Sequence, residues 1–334
     1  MRISALFLSI VLAGCASAGP PSPPVSPHGP EPAPEPPPPL EEGADYVVFR
    51  GDGSPATLAD VVAAADDADV VFFGEQHDDP VTHRLQALLL GRLYTTYQRP
   101  SEGGPSVHPA TPGVDTPASR GNRTVVLSLE MFERDVQRVV DEYLADLITE
   151  DHFLASSRPW DGYETRYRPL VEFAKAHGLD VVAANAPRRY VNRASRLGRA
   201  SLGELSPEAR AWLPPLPYPE GSTRYRAQWD SLMGPAAAHM RGSPFDGQTL
   251  WDASMGQKVA EAVTTHPDAL VLHLAGSFHV ASFTGTPEAL EHYRPGTRAL
   301  VVVAVPAEER DTLGDDRVGL GDFVVLTRPP DGGD

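Results

Sequence analysis

The chain has 334 residues and carries 28 Lys plus Arg against 45 Asp plus Glu, a formal net charge of -17. Nucleic acids and anionic lipid surfaces are polyanions, so a body this acidic argues against either as a partner. One cysteine in the whole chain excludes an internal disulfide.

The chain opens MRISALFLSIVLAGC, a lone Arg2 followed by an apolar stretch from Ile3 to Leu12 and small residues before Cys15. That stretch is too short for a mature transmembrane helix and predicts a signal peptide over residues 1–14. The LAGC sequence resembles a bacterial lipobox, which makes Cys15 the lipidated first residue of the mature protein, with acyl chains such as palmitate as its anchor. Buried acyl chains contribute roughly 0.8 kcal/mol per methylene, so three chains hold durably. Ala16 stands where an Asp would resemble an inner-membrane retention signal, and the expected location is the outer membrane. Residues 15–43 then form a lipid-anchored, proline-rich linker, GPPSPPVSPHGPEPAPEPPPPL at its centre, which favours extended polyproline II and leaves His28 solvated. Roughly 290 residues, 44–334, remain for one large α/β domain. Their cations are almost all arginine, since Lys175 and Lys258 are the only lysines.

Along that body, apolar runs recur at α/β intervals: DVVFFG from Asp69, TVVLSLEM from Thr124, LDVVAANAP from Leu179, ALVLHLAGSFH from Ala269, ALVVVAV from Ala299 and FVVLT from Phe323. Short β-branched runs separated by helical periodicity predict buried strands of a mainly parallel central sheet flanked by helices. Asp79 and Pro80 read as the N-cap and first residue of a helix with Leu85, Leu88, Leu89 and Leu93 on one face. From Asp135, the residues Val136, Val139, Val140, Tyr143, Leu144 and Leu147 predict a second amphipathic helix. Pro169 opens a third with Leu170, Val171, Phe173 and Ala174, closed by Gly178. Residues 99–123 have no periodicity and read as a disordered surface loop, His108 included. Residues 190–265 hold helical patterns without a strand, starting at Ser206, Thr223 and Gln248, and predict a helical cap inserted between the third and fourth core strands.

Four of the predicted strands finish in polar residues: Glu75 and His77, Glu130, Asn185 with Arg188 and Arg189, and Ser277 with His279. In a parallel sheet all four ends open onto one edge and build one cavity. His77 and His279 each close a GxxH pattern, from Gly74 and from Gly276, in which the glycine is expected to let the backbone turn sharply. Two such histidines with Glu75 or Glu130 can hold a divalent metal, form an acid/base pair or line a pocket for an anion. Glu130 ends an apolar strand, where an unpaired carboxylate is costly. Asp78 and Asp79 read as capping residues and His273, inside a strand, as a core histidine. His83, His152, His177, His266 and His292 read as surface residues, and His239 on the cap is a second-tier candidate.

The blocks GEQHDDPVTHRLQ, LEMFERDVQ, WDGYETRYRPLVEFAKAHGLDVVAANAPR, QTLWDASMGQKVA and LHLAGSFHV together resemble the ChaN-like haem-binding lipoproteins, relatives of the TIKI/TraB proteins and erythromycin esterases. The resemblance runs in order from about Asp69 to Pro287. It implies an outer-membrane lipoprotein of haem and iron uptake, with haem in a pocket shared across a homodimer. It also implies a tyrosine on the iron, for which Tyr167 and then Tyr163 are the candidates. A phenolate suits hard ferric iron. His77, His279, Arg188 and Arg189, with Glu75 and Glu130, are the implied propionate or pocket partners. The alternative drawn from the related branches is a metal-dependent hydrolase, protease or esterase, with Glu75, His77, Glu130 and His279 as its catalytic groups.

Overall fold

Uninterrupted runs of β-branched and aromatic residues build the centre of a single sheet in the computed structural model, which describes residues 38–97, 123–234 and 242–330. Its strands are β1 (Tyr46–Arg50), β2 (Pro55–Ala56), β3 (Val70–Glu75), β4 (Val125–Glu133), β5 (Val181–Asn185), β6 (Leu270–Gly276), β7 (Ala299–Pro306) and β8 (Phe323–Thr327). They lie in the order β2-β1-β8-β7-β3-β6-β4-β5. From β8 to β5 every neighbouring pair is parallel, as the run pattern predicts, and β1 and β2 add an antiparallel edge. That edge escaped the sequence reading because YVVFR follows closely on the proline-rich stretch and has no helical pattern between it and β2.

The helices are α1 (Leu58–Ala64), α2 (Pro80–Tyr97), α3 (Gln137–Leu144), α4 (Glu150–Ser157), α5 (Tyr163–Arg166), α6 (Arg168–His177), α7 (Arg188–Leu197), α8 (Pro207–Arg210), α9 (Thr223–Met233), α10 (Pro244–Thr265) and α11 (Thr286–Tyr293). Side chains alternate across each strand, so the sheet presents two apolar faces. On one, Val71, Phe73, Leu127, Leu129, Leu272 and Leu274 pack with Leu85, Leu89 and Leu93 of α2 and with Leu170 and Val171 of α6. On the other, Val70, Phe72, Val126 and Val271 pack with Met255, Val259 and Val263 of α10 and Leu290 of α11. The last stretch of the expected cap is therefore a layer of the sandwich: α10 starts at Pro244, before Gln248, and lies on the sheet.

Local punctuation follows the sequence closely. Asp79 accepts from the Val81 amide and caps α2, while its other oxygen accepts from Thr82 and Thr327. Gly178 ends α6 at φ 64°, in the left-handed region that favours glycine. Leu147 departs from its pattern: α3 stops at Leu144, and the side chain is 73% exposed beyond it. Of the expected disordered loop, only Arg123 is described, and it is buried, donating to the carbonyls of Ala65, Ala68 and Ala269. Cys15, His28, His108 and His239 lie outside the described residues. Among the described residues, no helix is long and apolar enough to cross a membrane.

Candidate functional site

Strand register brings the two GxxH motifs together. Glu75, the last residue of β3, is the parallel partner of Gly276, the last residue of β6. Gln76 donates to the Ser277 hydroxyl at 2.7 Å and ties one motif to the other. The glycines serve a different purpose from the one expected. Neither has a positive φ. A Cβ on Gly74 would stand 2.7 Å from Val280 and 3.0 Å from the Ser277 Cα, and one on Gly276 would stand 3.0 Å from His77 Nε2. Each glycine makes room for the other motif, so the requirement is close approach and not backbone freedom.

Because side chains alternate, Glu75 leaves the sheet on the α2 and α6 side. Its carboxylate is 3% exposed and accepts from His77 Nδ1 at 2.8 Å, from the Tyr167 hydroxyl at 2.5 Å and from Gln86 at 2.5 Å. Burial pushes the Glu75 pKa up, but His77, His83, Tyr167 and Gln86 together hold it below the usual carboxylate range. The hydrogen bond to Glu75 raises the His77 pKa in turn. The His77 side chain stays half-exposed, its ring edge-on to Trp160 with centroids 5.0 Å apart. Contrary to expectation, His83 is a buried residue: its Nδ1 lies 3.6 Å from Glu75, and its Nε2 donates to the His77 carbonyl at 3.0 Å.

Glu130 occupies the α10 side, at the start of an irregularity in the β4–β5 pairing. It accepts from the Gly276 amide at 2.7 Å and faces His279 Nε2 at 3.4 Å. His279 Nδ1 donates to Asp252 at 2.7 Å, and Asp252 also accepts from Tyr225 at 2.7 Å and Thr286 at 3.1 Å. All three charged side chains are buried. Burial alone would lower the His279 pKa, yet Glu130 and Asp252 on either side hold it up at about 10. Burial alone would raise Glu130, yet the charges of His279 and His77 and the Gly276 amide bring it down to about 2. His279 is thus an imidazolium clamped between two carboxylates, and Glu130 is ionised. The two halves meet at Gly276, where the point a Cβ would occupy lies 3.0 Å from His77 Nε2 and 3.6 Å from Glu130 Oε2.

The remaining candidates stand apart from this network. Arg189 pairs with Asp135 at 2.7 Å, where Arg158 joins it, and the Arg188 backbone amide donates to Glu133 while its side chain is exposed. Asn185 turns its carbonyl oxygen onto the Ala186 amide. Tyr163 is buried among Phe132 and Phe153, and its hydroxyl has no hydrogen-bond partner among the described residues. Tyr167 is equally buried, but its hydroxyl belongs to Glu75; burial and that carboxylate push its pKa well up. Among the described residues, no three His, Cys, Asp or Glu side chains are arranged to hold a metal ion. His273 is a core histidine, fully buried, with Nδ1 on Ser128 and a pKa lowered to about 3 by burial.

The sequence reading missed Asp252, Tyr225, Gln86 and Trp160. A signal for Asp252 was present: it falls on the stripe that continues through Met255, Val259 and Val263, where a carboxylate is affordable only if paired.

The family described as haem-binding uptake, Tiki superfamily, ChaN, matches residues 61–290. Among solved structures, ChaN of Campylobacter jejuni with cofacially bound haem superposes at a TM-score of 0.58 with 16% identity, covering 87% of this chain and 100% of that one. A protein from Bacillus cereus gives 0.45 at 11% identity, covering 85% and 95%, and the type III effector HopBA1 gives 0.43 at 13%, covering 82% and 94%. The first likeness shows the fold, and the other two are too distant to carry an argument. No curated protein matches the chain.

Proposed function

The chain belongs to the ChaN family of haem-binding uptake proteins, and from that premise we propose that it binds haem as cargo at the carboxyl-end edge of its sheet. The observation that carries the reading is the family match over residues 61–290, a span that holds every strand-end candidate. The residues present fit haem in kind. Tyr163 has a buried hydroxyl without a partner among the described residues, the sort of orphaned oxygen that a bound iron would employ. Tyr167 is the second phenol, released for iron only if Glu75 gives up its hydrogen bond. His77 offers a half-exposed imidazole fixed by Glu75, and Arg188 and Arg189 offer guanidinium groups for propionates. The finer parts of the proposal are anchoring at the outer membrane through acylated Cys15, a role in haem and iron acquisition, and a pocket shared by two subunits.

A hemin titration of the full-length protein tests it. The expected result is a saturable Soret shift that Tyr163→Phe or Tyr167→Phe removes and His77→Ala weakens, with molar mass doubling when haem is bound. Absence of saturable binding overturns the haem reading, and a monomeric haem-bound form overturns the shared pocket.

A second reading has one observation in its favour: an exposed imidazole hydrogen-bonded to a buried carboxylate is the arrangement of a general base. In that reading His77 takes a proton from water that attacks an ester or amide, and Glu75 orients the ring. Hydrolysis lost in His77→Ala, with hemin binding absent, would favour it.

A further inference from the structure

A cavity of about 660 Å³ lies between the segment leading into α9, α10 and the start of α11, and meets the site network only at Tyr225 and Asp252. Its volume is that of a small-molecule pocket, and it is walled by apolar groups that include Pro219, Ala253, Pro287 and Leu290. Two aromatic side chains contribute, buried Tyr225 and Phe283, the latter 41% exposed. Among the described residues, four carboxylates line it, Glu220, Asp252, Glu288 and Glu291, and no Lys, Arg or His does.

What these carboxylates already hold decides the charge left over. Asp252 shares the His279 charge with Glu130. Glu220 lies 3.7 Å from Arg199 with its side chain 83% exposed, a loose surface pair. Glu288 accepts from the amide and hydroxyl of Ser222, and Glu291 from the Gly296 amide; these neutral donors leave both charges in place. An apolar cleft with uncompensated negative charge and aromatic faces is complementary to a cation carried on an apolar body. The same charge repels a dicarboxylate such as haem, which sets this cavity apart from the sheet edge.

We propose that this cavity is a second binding site, and that it takes an organic ammonium ion: a primary amine whose N–H groups meet the glutamates while its hydrocarbon part fills the apolar wall. The site is independent of the haem reading. Calorimetric titration of the full-length protein with 4-phenylbutylamine, against the neutral 4-phenylbutan-1-ol, is the test. The amine is expected to bind saturably at one site and at least about tenfold more tightly than the alcohol, because charge-assisted hydrogen bonds are lost in the latter. The double change Glu220→Gln with Glu291→Gln, both at exposed positions, is expected to cut amine affinity by about tenfold and leave the alcohol unchanged. Equal affinity for amine and alcohol, no binding of the amine, or an unaffected double variant overturns the proposal. A parallel hemin titration of the double variant, expected to match the parent chain, separates this outcome from any failure at the sheet edge.

Discussion

The two GxxH motifs end neighbouring strands in the same way, yet their histidines come to opposite fates. His77 sits half in water with one buried carboxylate behind it, so its charge can follow the solvent or a ligand. His279 is buried between Glu130 and Asp252, and its charge is fixed across the neutral range. The difference lies in the layer each meets: α10 supplies a third charged group, whereas the segment over His77 supplies the apolar ring of Trp160. Equal motifs thus make one responsive half and one locked half, and the glycines keep the two halves in contact.

The locked half should break most expensively. Asp252→Ala leaves a buried imidazolium short of a partner and should lower unfolding free energy by about 3–5 kcal/mol in a denaturant titration. The pH dependence has a definite sign. His279 is raised from 6.5 to about 10, so its contribution is whole below pH 6.5 and is lost as pH rises through about 10. Glu130 is lowered from 4.5 to about 2, so its contribution is whole above pH 4.5 and is lost as pH falls through about 2. The pair contributes fully between 4.5 and 6.5, and Asp252→Ala should flatten the alkaline limb more than the acid one. An alkaline limb unchanged in the variant would refute the clamp.

The join between the halves comes next. Gly74→Ala puts a methyl group into Val280 and the Ser277 backbone and should cost about 1–3 kcal/mol by overpacking. Gly276→Ala should displace His77 specifically, which a shift of its ring signals would report. The responsive half should give the smallest change in stability and the clearest change in titration: with Glu75→Gln, the His77 pKa should fall back toward its ordinary value in a proton NMR titration.

The six parallel strands and the helices opened by Pro80 and Pro169 were legible because burial on both faces writes itself as unbroken apolar runs, and caps write themselves as Asp-Pro and Gly. Strand-end polarity likewise pointed to Glu75, His77, Glu130 and His279 as neighbours, since parallel strands share one outlet. Three kinds of information were not written locally. The antiparallel edge rests on pairing β1 with a strand from the far end of the chain. The burial of His83 depends on Glu75 lying beside α2. The pairing of the Arg189 guanidinium depends on Asp135 of the β4–α3 connection lying beside the start of α7.

Sheet order also governs when the site can exist. Strands β3 and β4 are consecutive in the sheet's chain order but not in space: β6, which follows them by well over a hundred residues of sequence, lies between them and bonds to both. Without that segment, each of the two earlier strands keeps an open hydrogen-bonding edge that begins in an apolar run, VVFF in β3 and VVL in β4. The insertion of β6 closes both edges and, in the same movement, carries His279 to Glu130. Assembly of the strand-end network and closure of these edges are therefore coupled, and a chain cut short before Ala269 is expected to lose the network and to aggregate.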